Sequence, residues 1–249
     1  MIVLKTGREL NIMREACRIS AGALQTIGKA VEPGVTTAEL DKLAENYIRS
    51  QGGAPNFKNY NGYPATACIS INNEVIHGIP SSKRKIRQGD IVSIDLGAKF
   101  DGYHGDNAAT FACGDISAEA KRLIDTTRES LYEGIKAACA GSRTGDIGHA
   151  IQAYVEAKGY SVVRQFVGHG IGIALHEAPE VPNFGTSGRG TRLLPGMTIA
   201  IEPMVNMGNY DVKILPDGWT VLTKDGSLSA HFEHTIVITA DGPKIMTLI

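Results

Sequence analysis

The chain has 249 residues, 43% apolar and 20% charged, which is the profile of a folded globular protein near the upper size that one hydrophobic core supports. Lysine and arginine number 25 against 26 acidic residues, which excludes a broad electrostatic footprint for nucleic acid or an anionic membrane. The first twenty residues carry charges throughout, no apolar run approaches the roughly 20 residues of a membrane span, and Cys17, Cys68, Cys113 and Cys139 form no CxxC pair, so a soluble, reduced, cytoplasmic protein is expected.

In chain order, Leu10, Met13, Ala16, Cys17, Ser20, Leu24 and Ile27 recur near helical spacing and predict a helix over 8–29. A second helix follows the VEPGVTT turn, with Thr37 as expected N-cap and Leu40, Leu43, Ala44, Tyr47 and Ile48 on its core face. Residues 65–71 and 91–97 read as strands. The basic cluster Lys83, Arg84, Lys85 and Arg87 lies between them and reads as a solvated loop. Helices resume over 117–139 and 145–158, and further strands are expected near 198–202, 211–214, 219–223 and 231–239.

Helix, helix, strands is thus an order that occurs twice. An offset of 107 aligns Gly34 with Gly141, Thr37 with Thr144, Tyr47 with Tyr154, Gly52 with Gly159, Gly89 with Gly196 and Asp95 with Glu202. A later offset of 127 places His104 on His231 and Asp106 on Glu233. The expectation is one domain over 1–249, built from α/β halves at about 1–112 and 113–249, with a carboxylate-lined cleft between them.

The segment QGDIVSIDLGAKFDGYHGDNAATF reads as a hairpin turning near Phe100, Asp101 and Gly102. A two-residue loop puts Asp95 and Asp106 on one face, directly opposite if the turn is Phe100-Asp101 and diagonal if it is Asp101-Gly102. Like charges facing each other in a sheet destabilise it unless a cation or a proton compensates. Glu202 ends an apolar strand before Pro203, and Glu233 precedes another apolar run, where unpartnered carboxylates are costly. In VGHGIGIALHEAPEVP the glycines disfavour a helix, and position 180 is Glu, so HExxH fails. His169 and His176 are seven residues apart and would face opposite ways on a straight strand, but a loop between them can aim both into one cavity.

Taken together, NGYPATACISINNEVIHGIP, DIVSIDLGAKFDGYHGDNAATF, GHGIGIALHEAP, MTIAIEPM and DGWTVLTKDGSLSAHFEHTIVIT resemble the type I methionine aminopeptidases in their short bacterial form, over nearly the whole chain. The resemblance implies the pita-bread fold: two pseudo-symmetric α/β halves with antiparallel sheet and helices outside. It implies two divalent metal ions (Mn, Fe, Co or Zn) on Asp95, Asp106, His169, Glu202 and Glu233, with Asp106 and Glu233 bridging. The implied activity is removal of the initiator methionine from nascent chains and peptides by a metal-activated water, with Glu202 as general base. His77 and His176 would hold the substrate amide and stabilise the tetrahedral intermediate. Tyr60, Tyr63, Cys68, Phe166 and Trp219 would line the methionine pocket.

Four positions depart from the family pattern: Phe57, Leu175, and His231 with Phe232 where Gln-Tyr is familiar. None is expected to touch a metal ligand. The 31 residues between Glu202 and Glu233 leave no room for the helical insertion of type II members. An Xaa-Pro peptidase of the same fold is the rival reading, disfavoured because such enzymes usually carry a large N-terminal domain and lack the NGYPATACIS context. A non-catalytic binding module is disfavoured because all five ligands are present. A monomer is expected, with the loop 83–87 as candidate ribosome contact.

Overall fold

In the computed structural model, which describes residues 2–248, each of the first two helices begins at a reciprocal cap. Helix α1, Gly7–Gly28, starts where Thr6 Oγ1 accepts the Glu9 N–H and Glu9 Oε2 accepts the Thr6 N–H. Helix α2, Thr37–Ser50, repeats this with Thr36 and Glu39. The N-cap is therefore Thr36, not Thr37. A capping box needs an acid three residues on, which Thr36 has in Glu39, whereas Thr37 has Leu40. Thr37 is instead buried and exchanges hydrogen bonds with the Ser81 backbone. Helices α3, Ala118–Ala137, and α4, Thr144–Ala157, fall where the periodicity puts them.

The strands keep their expected places with shifted ends. Ile91–Phe100 and Tyr103–Ala112 form a hairpin with Phe100 paired to Tyr103. Asp101 and Gly102 are its loop, both at positive φ (45° and 86°), as a type I′ turn demands. Of the two alternatives the diagonal one holds: Asp95 faces Ala108 and Asp106 faces Gly97. The strand expected over 231–239 divides at Phe232 into Ser229–His231 and Glu233–Thr239. The one expected over 219–223 shortens to Val221–Thr223, because Asp217 accepts the N–H groups of Trp219 and Thr220 and holds them in a turn.

A nine-stranded, wholly antiparallel sheet runs through the molecule. Its centre is the pair Tyr103–Ala112 and Glu233–Thr239, flanked by Ile91–Phe100 on one side and Thr198–Ile201 then Gly168–Gly170 on the other. One core packs α1 and α2 on the first-half strands through residues such as Ile19, Leu40, Ile69 and Ile94. A second packs α3 and α4 on the second-half strands through Leu123, Ile151, Ile199 and Ile236.

The halves match in their hydrogen bonds. Gly34 N–H donates to Ile86 O (2.8 Å) and Gly141 N–H to Leu193 O (2.9 Å); Thr37 N–H donates to Arg84 O (3.0 Å) and Thr144 N–H to Thr191 O (2.9 Å). Every one of these pairs is related by 107. Gly34 and Gly141 share φ of 94° and 93°, a conformation that a side chain disfavours.

In the returning strand the ladder corrects the offset. Gly97 pairs with Asp106 and Met204 with His231, while Ile94 pairs with Ala109 and Ile201 with His234. The first-strand members differ by 107 and their partners by 125, not 127. The register counterpart of Asp106 is therefore His231, and that of Glu233 is Ala108, which faces it across the central pair. Reciprocal side-chain bonds repeat the relation. Thr235 Oγ1 donates to Asp106 O (2.8 Å) and accepts its N–H (3.2 Å). Thr110 Oγ1 does the same to His231, at 2.9 Å each way.

Candidate metal centre and substrate cavity

The local pairs become one site because both hairpin-like units turn the same face inward. Asp95 and Asp106 project from the first hairpin, Glu202 stands just past the end of Thr198–Ile201, and Glu233 opens its strand. Gly168–Gly170 lies beside Thr198–Ile201 and brings in His169. A Cβ at Gly168 would come within 2.3 Å of the Ala200 carbonyl oxygen, so only glycine allows this approach. Asp106, His169 and Glu233 each offer a ligand atom within 4.8 Å of the others. Asp95 and Glu202 line the same cavity, whose volume is about 220 Å³.

The chemistry of this set calls for a cation. Asp95 Oδ1, Asp106 Oδ1 and Glu233 Oε1 are buried without a hydrogen-bond partner, and no lysine or arginine lines the cavity. Burial pushes the Asp95 carboxyl up to about 8. Burial, and then the charges of Asp95 and Glu202, raise Asp106 well above its ordinary value, while burial likewise raises Glu202 and Glu233. Four carboxylates cannot stay ionised together here unless positive charge is supplied. The residues fit divalent cations, and the oxygen-rich donor set suits Mn(II), Fe(II) or Co(II) as well as Zn(II). His169 Nδ1 lies 2.9 Å from Gly170 O; as donor there it leaves the Nε2 lone pair for a ligand bond.

The loop between His169 and His176 reverses the chain, and the two rings come to 4.2 Å centroid to centroid. Tyr60 Oη lies 2.7 Å from His176 Nδ1 and fixes that ring from behind. His77 reaches the cavity from the turn after Glu74–Ile76, in the left-handed region at φ 61°. Its neighbour Gly78 is clamped: Gly78 O accepts the Ile69 N–H (2.8 Å) and the Tyr63 hydroxyl (3.1 Å). Burial lowers His77 to about 4 and His169 to about 3, and lowers His176 as well. The shift favours the neutral form of all three.

Tyr60, Tyr63, Cys68 and Trp219 line the cavity with His77 and His176. Phe166 does not line it; its ring stands edge-on to His77, centroids 5.8 Å apart. Phe57, Asn61 and Leu175 complete the wall. Two of these, Phe57 and Leu175, depart from the family pattern, so the departures fall on the cavity itself. Of the departing residues, His231 comes near an expected metal ligand without hydrogen-bonding to it: its Nε2 lies 3.9 Å from Glu202 Oε2.

Residues 11–240 match the model of metallopeptidase family M24. The methionine aminopeptidase of Clostridium perfringens is 55% identical over 249 residues, covering the whole of both chains. The crystal structure of methionine aminopeptidase from Thermotoga maritima superposes with a TM-score of 0.99 at 44% identity, again over the whole of both chains. Xaa-Pro dipeptidase from Bacillus anthracis superposes less closely, with a TM-score of 0.79 at 26% identity, and the matched region is 62% of that protein.

Proposed function

The chain belongs to metallopeptidase family M24, and from that premise we propose how its residues divide the work of removing an initiator methionine. It is a divalent-metal-dependent aminopeptidase that removes the N-terminal methionine from polypeptides, with the pita-bread fold of the relatives it superposes on. The observation that carries the assignment of the site is the convergence of the buried Asp106, Glu233 and His169 with the half-buried Asp95 and Glu202 on one cavity with an aromatic wall.

Asp95, Asp106, His169, Glu202 and Glu233 would hold two cations, with Asp106 and Glu233 shared between them. When bound, such a pair supplies an activated water and a Lewis acid for the scissile carbonyl. Glu202 takes the proton from the attacking water. His77 and His176 act as neutral donors to the substrate amide and to the oxygen that gains charge. Tyr60 keeps His176 aimed at that oxygen. The free amino group of the substrate sits beside Asp95, which confines cleavage to the first residue. Tyr60, Tyr63, Cys68 and Trp219 enclose the methionine side chain, with Phe166 supporting them through His77.

The reading extends to one catalytic domain over 1–249, working as a monomer in the cytoplasm on nascent chains. In its favour, Cys17, Cys68, Cys113 and Cys139 are all free thiols, and no helix among the described residues is long and apolar enough to cross a membrane. Lys83, Arg84, Lys85 and Arg87 border a second concavity, with Arg84 paired to Glu74 at 2.6 Å, and are the proposed ribosome contact. Charge reversal at Lys83, Lys85 and Arg87 should abolish co-sedimentation with ribosomes; unchanged co-sedimentation rejects that contact.

The deciding experiment is anaerobic reconstitution of metal-free protein with Mn(II), Fe(II), Co(II) or Zn(II) in turn, assayed on Met-initiated and Xaa-Pro peptides. Cleavage of the former, lost in Glu202→Gln, is expected. Preference for Xaa-Pro peptides, or full activity of Glu202→Gln, would sink the reading.

A further inference from the structure

His231 is 1% exposed, and neither of its ring nitrogens has a hydrogen-bond partner. A buried imidazole left in that state is destabilising, so its retention calls for a reason. Its backbone is fixed on both sides, the N–H and the C=O both bonded to Thr110 Oγ1. Thr235 holds Asp106 in the same way, and the ladder makes His231 the second-half counterpart of Asp106, a residue that faces the metal centre. The side chain at 231 is thus turned towards the centre by the same device that turns Asp106.

What it meets there is Glu202. Glu202 Oε1 lies 3.6 Å from His169 Nε2, on the ligand side, and Oε2 lies 3.9 Å from His231 Nε2. The carboxylate is bracketed by two imidazoles, one to each oxygen. A movement of about 1 Å brings the second contact to hydrogen-bonding distance.

We propose that His231 is a positioning residue, donating from Nε2–H to Glu202 Oε2 so that Oε1 is held towards the metal ligands. The proposal rests on the assignment of Glu202 above as ligand and proton acceptor. Removing the donor leaves Glu202 free to turn, which weakens metal binding and proton transfer and spares peptide binding. A glutamine amide, which also donates, restores the function.

The test compares His231→Ala, His231→Leu and His231→Gln by calorimetric metal titration of the apoprotein and by steady-state kinetics of the reconstituted enzyme on a Met-initiated peptide. Alanine and leucine should raise the metal dissociation constant about 10- to 100-fold. They should lower kcat about 10-fold, at an interaction worth about 1.4 kcal/mol, with KM within about twofold. Glutamine should recover most of both losses. Nitrogen-15 NMR of the metal-loaded protein should find His231 protonated at Nε2, with a shift that moves in Glu202→Gln. If alanine does not fold, leucine against glutamine decides. Equal metal affinity and kcat in leucine, glutamine and unsubstituted protein, or an unprotonated Nε2, would overturn the proposal while Glu202→Gln remains inactive. Full activity of Glu202→Gln would overturn the assignment of Glu202 and the proposal together.

Discussion

Tyr60 is a residue whose importance lies behind the wall it lines. Its hydroxyl is 2.7 Å from His176 Nδ1, and with that nitrogen engaged, Nε2 is the one left free on a ring that lines the cavity. Tyr60→Phe keeps the ring and the wall but frees His176 to rotate. A hydrogen bond worth about 1–1.5 kcal/mol translates into roughly a 10-fold loss of kcat, and steady-state kinetics on a methionyl peptide should find it with little change in KM. The pairing of Tyr60 with His176 is not legible in sequence, since the two are 116 residues apart. His231 is the opposite case. The residue itself was visible as a departure from a familiar pattern, but its contact with Glu202 depends on a register that no local signal reveals.

Among the elements, the helices carry their own start signals. Thr-x-x-Glu occurs before both α1 and α2, and the box at 36–39 could have been preferred over Thr37 from sequence alone. The Glu9 carboxylate is drawn well below its usual range, from 4.5 to about 2, first by the Thr6 N–H, then by the Thr6 and Tyr103 hydroxyls. A group whose folded pKa is lowered contributes stability that is complete above pH 4.5 and disappears as the pH falls towards about 2. Thermal melts of the protein and of Glu9→Gln should therefore differ at neutral pH and converge across that window. Strand ends were less legible. Phe232 breaks a run that reads as continuous, because the chain there leaves one partner, Met204–Asn206, for another, Thr198–Ile201.

The whole molecule is held at its seam by the threonine clasps. Thr235→Val deprives the backbone N–H of Asp106 of its acceptor and the C=O of its donor, in a buried setting. A loss of about 1–3 kcal/mol in denaturant unfolding is expected, with weaker metal binding, because Asp106 is a proposed ligand so held. Metal itself should act at the same scale. The metal-free fold carries buried carboxylate oxygens with no partner, so a cation that binds only the folded form adds stability. At a free concentration of 100 times Kd the gain is about 2.7 kcal/mol. Calorimetric melts with and without chelator should resolve it, and coincident melts would contradict a folded-state site.

Sequence alone determined what local rules control: four amphipathic helices, a hairpin with Asp95 and Asp106 on one face, and a repeat at 107 visible in its turn glycines. These follow from side-chain periodicity, from parity along a strand and from the backbone freedom of glycine. Tertiary structure decided which distant strands lie side by side. The central pairing of Ala108 with Glu233 sets the small methyl opposite the long carboxylate, giving Glu233 room to reach the cleft. It also makes His231, rather than Glu233, the counterpart of Asp106. Strands 125 residues apart in sequence leave their register to hydrogen bonds made only on folding, and a two-residue difference in offset keeps every side chain on its face. Parity therefore found the inward-facing residues, and only the ladder could say which stood opposite which.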